Sequence, residues 1–266
     1  MDRIKTIYEA LVLGIRSFFD KSGFQKAVLG LSGGLDSAVV AALAVKALQK
    51  ENVHGLMLPS QYSSNHSITD AVALAENLNI SYDILQINEI FYSTLNSLSQ
   101  LFNNLPSDVT EENIQARIRG MLLMAYSNKF KHLLLNTSNK SEIAVGYTTL
   151  YGDMCGAISV IGDVYKSDVY KLAEYINSET EIIPVNTIKK PPSAELRPNQ
   201  KDSDSLPEYN ILDPILYNYL EQKKNVDEII KQGFEESVVK KIISMHHGSE
   251  YKRFQSVPII ELEVIP

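Results

Sequence analysis

Tryptophan is absent from this 266-residue chain, and cysteine occurs once, as Cys155. A lone thiol excludes an intrachain disulfide framework and any CxxC redox or zinc motif. Positive charge is scarce too: 25 Lys and Arg face 32 Asp and Glu, a formal net charge of −7. That balance argues against a nucleic-acid backbone as ligand, because phosphate-backbone binding draws on a surplus of basic side chains. A small anionic cofactor stays open, since local cations can outweigh the global sign. No apolar run reaches membrane-spanning length, and the amphipathic N-terminus lacks the apolar core of a signal peptide. With 44% hydrophobic and 21% charged residues, the expectation is a globular cytoplasmic enzyme that binds neither nucleic acid nor membrane.

What is present centres on Ser32-Gly33-Gly34-Leu35-Asp36-Ser37. An apolar strand at 27–31 empties into the two glycines, and an alanine-rich helix follows at once. Glycine lets the backbone approach a phosphate, and a helix start offers unpaired N–H donors with a favourable dipole. The common phosphate loop, GxxxxGK[ST], carries a lysine that is missing here. Asp36 stands instead, and a carboxylate beside phosphates is repulsive unless a divalent cation sits between them. A magnesium-bridged nucleotide site is the simplest account. The plain alternative is a strand-to-helix turn with Ser32 or Asp36 as an ordinary N-cap.

Ile4, Ile7, Leu11, Ile15 and Phe18 recur at helical spacing and predict a first helix. Strands are predicted at 27–31, 53–58, 81–87 and 131–135, with helices at 37–49, 65–79, 91–102 and 111–128 between them. This alternation predicts an α/β fold, a doubly wound parallel sheet flanked by helices. Ligands of such sheets bind beyond the C-terminal strand ends, where the Ser32 loop and Asn136-Thr137 would both lie. Residues 1–182 then form the nucleotide-binding core of one 266-residue domain. Residues 183–210, punctuated by Pro191, Pro192, Pro198 and Pro207, are a lid loop or a surface linker. Helices at 211–222, 226–231 and 235–246 make 211–266 a helical C-terminal segment.

Glu142 follows the fourth strand as the Ser32 loop follows the first. It is a candidate second ligand for the cation held by Asp36, or a helix-start acid answering the dipole. Asn113 and Arg117 stand at i and i+4 on one helix face. An amide beside a guanidinium suits carboxylate or phosphate recognition, and a solvated face is the alternative. None of the five histidines has metal-ligand spacing, the adjacent His246-His247 included.

The run from Ser32 to Ser37 resembles the SGGxDS signature of ATP pyrophosphatases, which cleave ATP between its α and β phosphates. Within that superfamily the whole chain resembles the NAD synthetases. Seven pieces carry the likeness in order: 32–37, 113–119, 136–142, 151–156, Lys166, Lys190-Pro-Pro-Ser-Ala-Glu-Leu196 and Tyr251-Lys252-Arg253. The resemblance implies a homodimer that amidates deamido-NAD with ATP, magnesium and ammonia through an adenylated intermediate. It implies that Ser32, Gly33, Gly34, Asp36 and Ser37 hold the ATP phosphates, and that Thr137, Lys166 and Ser193 touch ATP. Arg117 and Lys252, assisted by Asn113 and with Glu142 beside them, would contact deamido-NAD. Asp36 and Glu142 would bind magnesium. Asp36, Lys166 and Asp153 would be catalytic, Asp153 by orienting or deprotonating the incoming ammonium.

Two positions depart from the ammonia-dependent members. Leu150 stands where those carry Lys, and Ala157 where they carry Asp. The Tyr-Gly-Asp-Met-Cys-Gly and Lys-Pro-Pro-Ser-Ala-Glu-Leu spellings look more like the synthetase half of glutamine-dependent enzymes, whose N-terminal amidase domain has no room here. Ammonia is therefore expected either free or from a separate glutamine amidase subunit, and Cys155 is expected to pack rather than react. The rivals are a tRNA-modifying ATP pyrophosphatase, a GMP synthetase fragment and a non-catalytic nucleotide-binding module. Acidity and the single cysteine weigh against the first, and the spellings at 151–156 and 191–196 against the second.

Overall fold

Helix α1 (Arg3–Ser22) buries Ile7, Leu11, Val12, Ile15 and Phe19, the face its spacing foretells. In this computed structural model, which describes residues 3–103 and 105–262, α1 packs against α2 (Leu35–Leu48). Helix α2 is sealed on nearly every side, from Ala38 through Ala44, and its small side chains let neighbours approach closely. It follows β1 (Ala27–Gly30), whose first three residues are buried. Next come β2 (Val53–Met57), α3 (Asn65–Leu78), β3 (Ser81–Ile84), α4 (Asn88–Phe102), α5 (Val109–Phe130) and β4 (Leu133–Asn136). Then follow α6 (Lys140–Val145), β5 (Ile158–Ser159) and α7 (Lys166–Ile176). The sheet runs β3-β2-β1-β4-β5, every pairing parallel.

The doubly wound parallel sheet agrees with expectation. Its winding proceeds from β1 outward through β2 and β3, then restarts on the other side with β4 and β5. The reversal between β1 and β4 opens a crevice at their C-terminal ends, the place where such sheets hold ligands. The Ser32 loop leaves β1 and Thr137 leaves β4, so both border that crevice.

Two strand boundaries shift by more than one residue from those expected, and one strand is additional. The fourth strand starts at Leu133 rather than 131, because Lys131 adopts a left-handed conformation (φ 56°) and closes α5 through its N–H to Ser127. The third strand stops at Ile84, although the N–H groups of Leu85 and Ile87 still donate to Met57 and Pro59. Strand β5 is two residues long and was not expected. Its neighbour is residue 259, bridged in parallel to Ser159, so the segment after the last helix returns to the sheet.

Beyond α7 come α8 (Val185–Lys189), a 3-10 turn at Asp202–Asp204, α9 (Tyr209–Leu220), α10 (Val226–Ile230), α11 (Glu236–Gly248) and α12 (Glu250–Arg253). Pro214 lies inside α9, as the helix expected at 211–222 requires. The C-terminal helices build a second small core of Leu212, Ile215, Leu216, Ile229, Val239 and Ile242, closed against α6. Buried Asp213 joins the two cores: one oxygen accepts from Ser141 Oγ at 2.6 Å, the other from the Ser167 N–H at 2.8 Å. It thereby fixes the starts of α6 and α7, which carry Glu142 and Lys166.

Candidate active site

The glycine loop is shaped by its own hydroxyls. Ser32 Oγ accepts from Gly34 N (3.1 Å), Ser37 Oγ donates to Gly34 O (3.0 Å), and the two hydroxyls meet at 3.2 Å. Gly33 sits at φ +76°, where a Cβ would fall 2.1 Å from the backbone oxygen of Ser67. No side chain caps α2 at Gly34, which leaves its first turn open to an anion. The plain N-cap alternative for Ser32 or Asp36 does not hold.

Three helix starts converge opposite this loop. Asp36 lies in the first turn of α2, Glu142 in the first turn of α6, and Lys166 opens α7. The Lys166 ammonium, 2% exposed, pairs with Asp36 Oδ2 and stands 3.9 Å from Glu142 Oε1. Asn139 caps α6 through Glu142 N (3.0 Å) and donates from Nδ2 to Asp36 Oδ1 (3.0 Å). Burial first, and the Asp36 charge second, hold the Glu142 carboxyl well above the usual carboxylate range. Burial alone would lower Lys166, but Asp36 and then Glu142 reverse it, so its ammonium keeps its proton. Asp202, on the 3-10 turn, is a third buried acid: it accepts from Tyr209 OH (2.9 Å) and Tyr147 OH (3.4 Å), and burial raises its pKa.

These groups wall a cavity of about 310 Å³ reaching from the glycine loop past Thr137 and Asp153 to Ser193. Among the described residues no cluster of three or more His, Cys, Asp or Glu forms a metal cage. Two carboxylates beside a phosphate loop instead suit magnesium, which takes one or two protein carboxylates and completes its shell with phosphates and water. Arg119 also lines the cavity, donating from Nε to Leu58 O (2.9 Å), its pKa lowered to about 10 by burial. At that value it is still a full cation at neutral pH. Asp153 is an exposed residue that lines the cavity and accepts from Thr149 N (2.7 Å); the packing of its carboxyl against the cavity wall raises its pKa.

Asn113, Arg117 and Lys252 do not line that cavity. They gather at the adjoining turn 146–150: Thr149 Oγ1 donates to Asn113 (2.7 Å) and Arg117 Nε to Leu150 O (3.2 Å). Lys252 Nζ donates to Gly146 O (2.7 Å) and Thr148 O (2.6 Å), from a position that also feels Asp153. Asp153 thus stands between the two groups of residues. Sequence reasoning gave no role to Arg119, Asn139, Asp202 or Glu195. Arg119, Asn139 and Glu195 fall inside runs already singled out, although the partners of Glu195 lie about 130 residues away; Asp202 lies outside every such run.

The proline-rich segment is docked over the cavity. Glu195, at φ +48°, accepts from Ser64 N (3.2 Å), Ser64 Oγ (2.9 Å) and Ser67 Oγ (2.6 Å) at the start of α3. Lys190 Nζ completes the cluster, 3.5 Å from Glu195. Ser193 Oγ donates to Gln200 O (2.6 Å), tying the loop across itself. Glu195→Ala is expected to free the segment, so that trypsin cuts after Lys201 at least several-fold faster, read on a time-course gel. Unchanged cleavage would show that Glu195 does not hold the loop.

With that geometry in place, comparison with known proteins decides the family. The profile described as NAD synthase matches residues 7–256. The chain belongs to the NAD synthase family. Its similarity to the glutamine-dependent NAD(+) synthetase of Synechocystis sp. is 53% identity over 252 residues, 95% of this chain and 45% of that protein. The chain spans about half the length of the curated relatives it matches. Among solved structures, the NH3-dependent NAD synthetase of Campylobacter jejuni is 33% identical, with a TM-score of 0.78 over 99% of both chains. An NMN synthetase from Francisella tularensis is 29% identical, with a TM-score of 0.81 over 99% of this chain and 98% of that one. Relatives of the synthase family thus include the glutamine-dependent kind whose spellings the 151–156 and 190–196 runs resemble.

Proposed function

We propose that this chain converts deamido-NAD to NAD with ATP and ammonia, releasing AMP and pyrophosphate. The observation that carries the reading is the meeting of Asp36, Glu142 and Lys166 beside an uncapped glycine loop at the β1/β4 crevice. A nicotinate carboxylate is a poor electrophile. Its oxygen attacks the α-phosphorus of ATP, the bond to pyrophosphate breaks, and a mixed anhydride with AMP results. Ammonia then attacks the carbonyl carbon, the bond to the AMP oxygen breaks, and the nitrogen sheds a proton.

The glycine loop and Ser32 and Ser37 seat the ATP phosphates, with Thr137 and Ser193 at the cavity's far walls. Asp36 and Glu142 would hold magnesium, which when bound neutralises phosphate charge. Lys166 and Arg119 add fixed positive charge where phosphate oxygens gather, in surroundings that strengthen it. Asp153, between the cavity and the 146–150 turn, orients the entering ammonium or receives its proton at the carboxylate. Arg117 and Lys252, with Asn113, address deamido-NAD. Arg117→Ala is expected to raise the KM for deamido-NAD at least about tenfold, the loss of one charge-assisted contact, and the KM for ATP far less. Steady-state kinetics with each substrate varied would contradict the role if both rose alike.

Residues 183–210 act as the lid, between the core at 1–182 and the helical segment 211–266. No described helix is long and apolar enough to cross a membrane, and the cytoplasm is the proposed location. A homodimer is supported by Leu101, Leu105, Val109, Met121, Met124 and Phe130, large apolar side chains exposed on α4, α5 and the turn between them. The deciding assay supplies ATP, magnesium and deamido-NAD with either ammonium or glutamine and measures NAD and pyrophosphate. Product from ammonium establishes the reaction and nitrogen source; product from glutamine only when an amidase partner is added assigns delivery to that partner. ADP with orthophosphate would end the proposal. The fit to the Francisella protein favours one further arm, with the carboxylic acid precursor of NMN in place of deamido-NAD.

A further inference from the structure

We propose that Lys166 is a resident counter-cation that keeps free divalent metal out of the site until a nucleotide draws its ammonium away. The inference rests on the proposed nucleotide reading and extends it to the order of binding. Lys166 is paired to Asp36 and lies 3.9 Å from Glu142, the same two carboxylates that suit the metal. A third buried acid, Asp202, adds to the negative charge around the ammonium, and the Tyr209 ring centroid is 5.5 Å from Nζ. Paired to Asp36 and with Glu142 beside it, the buried ammonium leaves Asp36 uncompensated unless another cation replaces it.

The ammonium and a divalent ion cannot share the position. At 4 Å their repulsion is about 8 kcal/mol even at an effective dielectric of 20. One must therefore yield. The Lys166 backbone is fixed, since its N–H donates to Ser141 Oγ (2.9 Å), and that hydroxyl is held by Asp213. Only the flexible side chain can move, and Lys166 lines the cavity shared with the glycine loop. Entering phosphates give the ammonium a new anionic partner and release Asp36 and Glu142 to the metal that travels with them. Metal alone offers the ammonium no such partner.

Mn²⁺ binding to the intact protein, followed by electron paramagnetic resonance without nucleotide, tests the exchange. Wild type is expected to show no site tighter than about 1 mM, while folded Lys166→Met gains one at least about tenfold tighter, as removal of a competitor for the same ligands requires. A wild-type site near 0.1 mM without nucleotide, or a folded Lys166→Met with no gain, overturns the proposal. Should that variant fail to fold, the wild type decides alone. Mn²⁺ bound to protein with α,β-methylene-ATP more tightly than the nucleotide alone binds it supports the exchange, and Mn²⁺ bound no more tightly than by free nucleotide overturns it. A protein that makes NAD yet binds Mn²⁺ tightly by itself would sink this inference and leave the proposed reaction standing.

Discussion

Asp36→Ala is expected to lower NAD formation by at least about a thousandfold, the scale seen when a principal charge-stabilising group is removed from a reacting centre. The side chain stands at the convergence of everything charged in the crevice. It takes the Lys166 ammonium on one oxygen and the Asn139 amide on the other, in the first turn of an uncapped helix. Without it, Glu142 is the nearest remaining partner of Lys166, 3.9 Å away, and one of the two proposed magnesium ligands is gone. The protein should stay folded, because Asp36 lies at the cavity wall rather than in the apolar core. Two measurements separate the cases. Circular dichroism should be native, and ATP binding by calorimetry should lose its dependence on magnesium. An active Asp36→Ala enzyme would remove the metal assignment altogether.

Gly33→Ala is expected to destabilise the protein by about 3 kcal/mol or more, whereas Gly34→Ala, one residue on, should change stability little. The contrast lies in what a methyl group would meet. At Gly33 it would approach the Ser67 carbonyl at 2.1–2.8 Å from backbone in a left-handed conformation. Ser67 belongs to the first turn of α3, braced by Ser64 and Glu195, so it has nowhere to go. At Gly34 the nearest atom is the Ser32 hydroxyl at 3.1 Å, the end of a side chain that can rotate. Denaturant melts of both variants test this. Equal midpoints would show that the close approach of loop and helix is not what Gly33 serves. ATP affinity should fall with stability in Gly33→Ala, because the same displacement widens the phosphate cradle.

Much of this architecture was legible in the residues. The Ser32–Ser37 run announced both its strand and its helix, because glycine and hydroxyl chemistry at a strand end is local information. The alternation of buried strands with amphipathic helices gave the parallel sheet for the same reason. What stayed hidden depends on distant partners. Ile158 and Ser159 are too few to show any periodicity, and they become a strand only because β4 and residues 258–260 supply hydrogen bonds on either side. Lys166 read as an ATP contact and a catalytic group; its pairing with Asp36 required two helix starts 130 residues apart to meet. The turn on which Asn113, Arg117 and Lys252 gather could be seen only in three dimensions.

The returning strand at residues 258–260 has a consequence for biosynthesis. Pro258 and Ile260 bond Ser159, whose hydroxyl reaches Asn136, and the Asn136 amide in turn holds the carbonyl of Asp153. A nascent chain that has released β5 from the ribosome must wait for about a hundred further residues before this relay closes. At ordinary elongation speed that interval lasts roughly 5–20 s. The glycine loop, shaped by Ser32, Ser37 and Ser67, can form before that interval ends. The Asp153 turn gains its final brace only after it, so under the proposed reaction ATP binding ought to precede competence for amide formation in the growing chain.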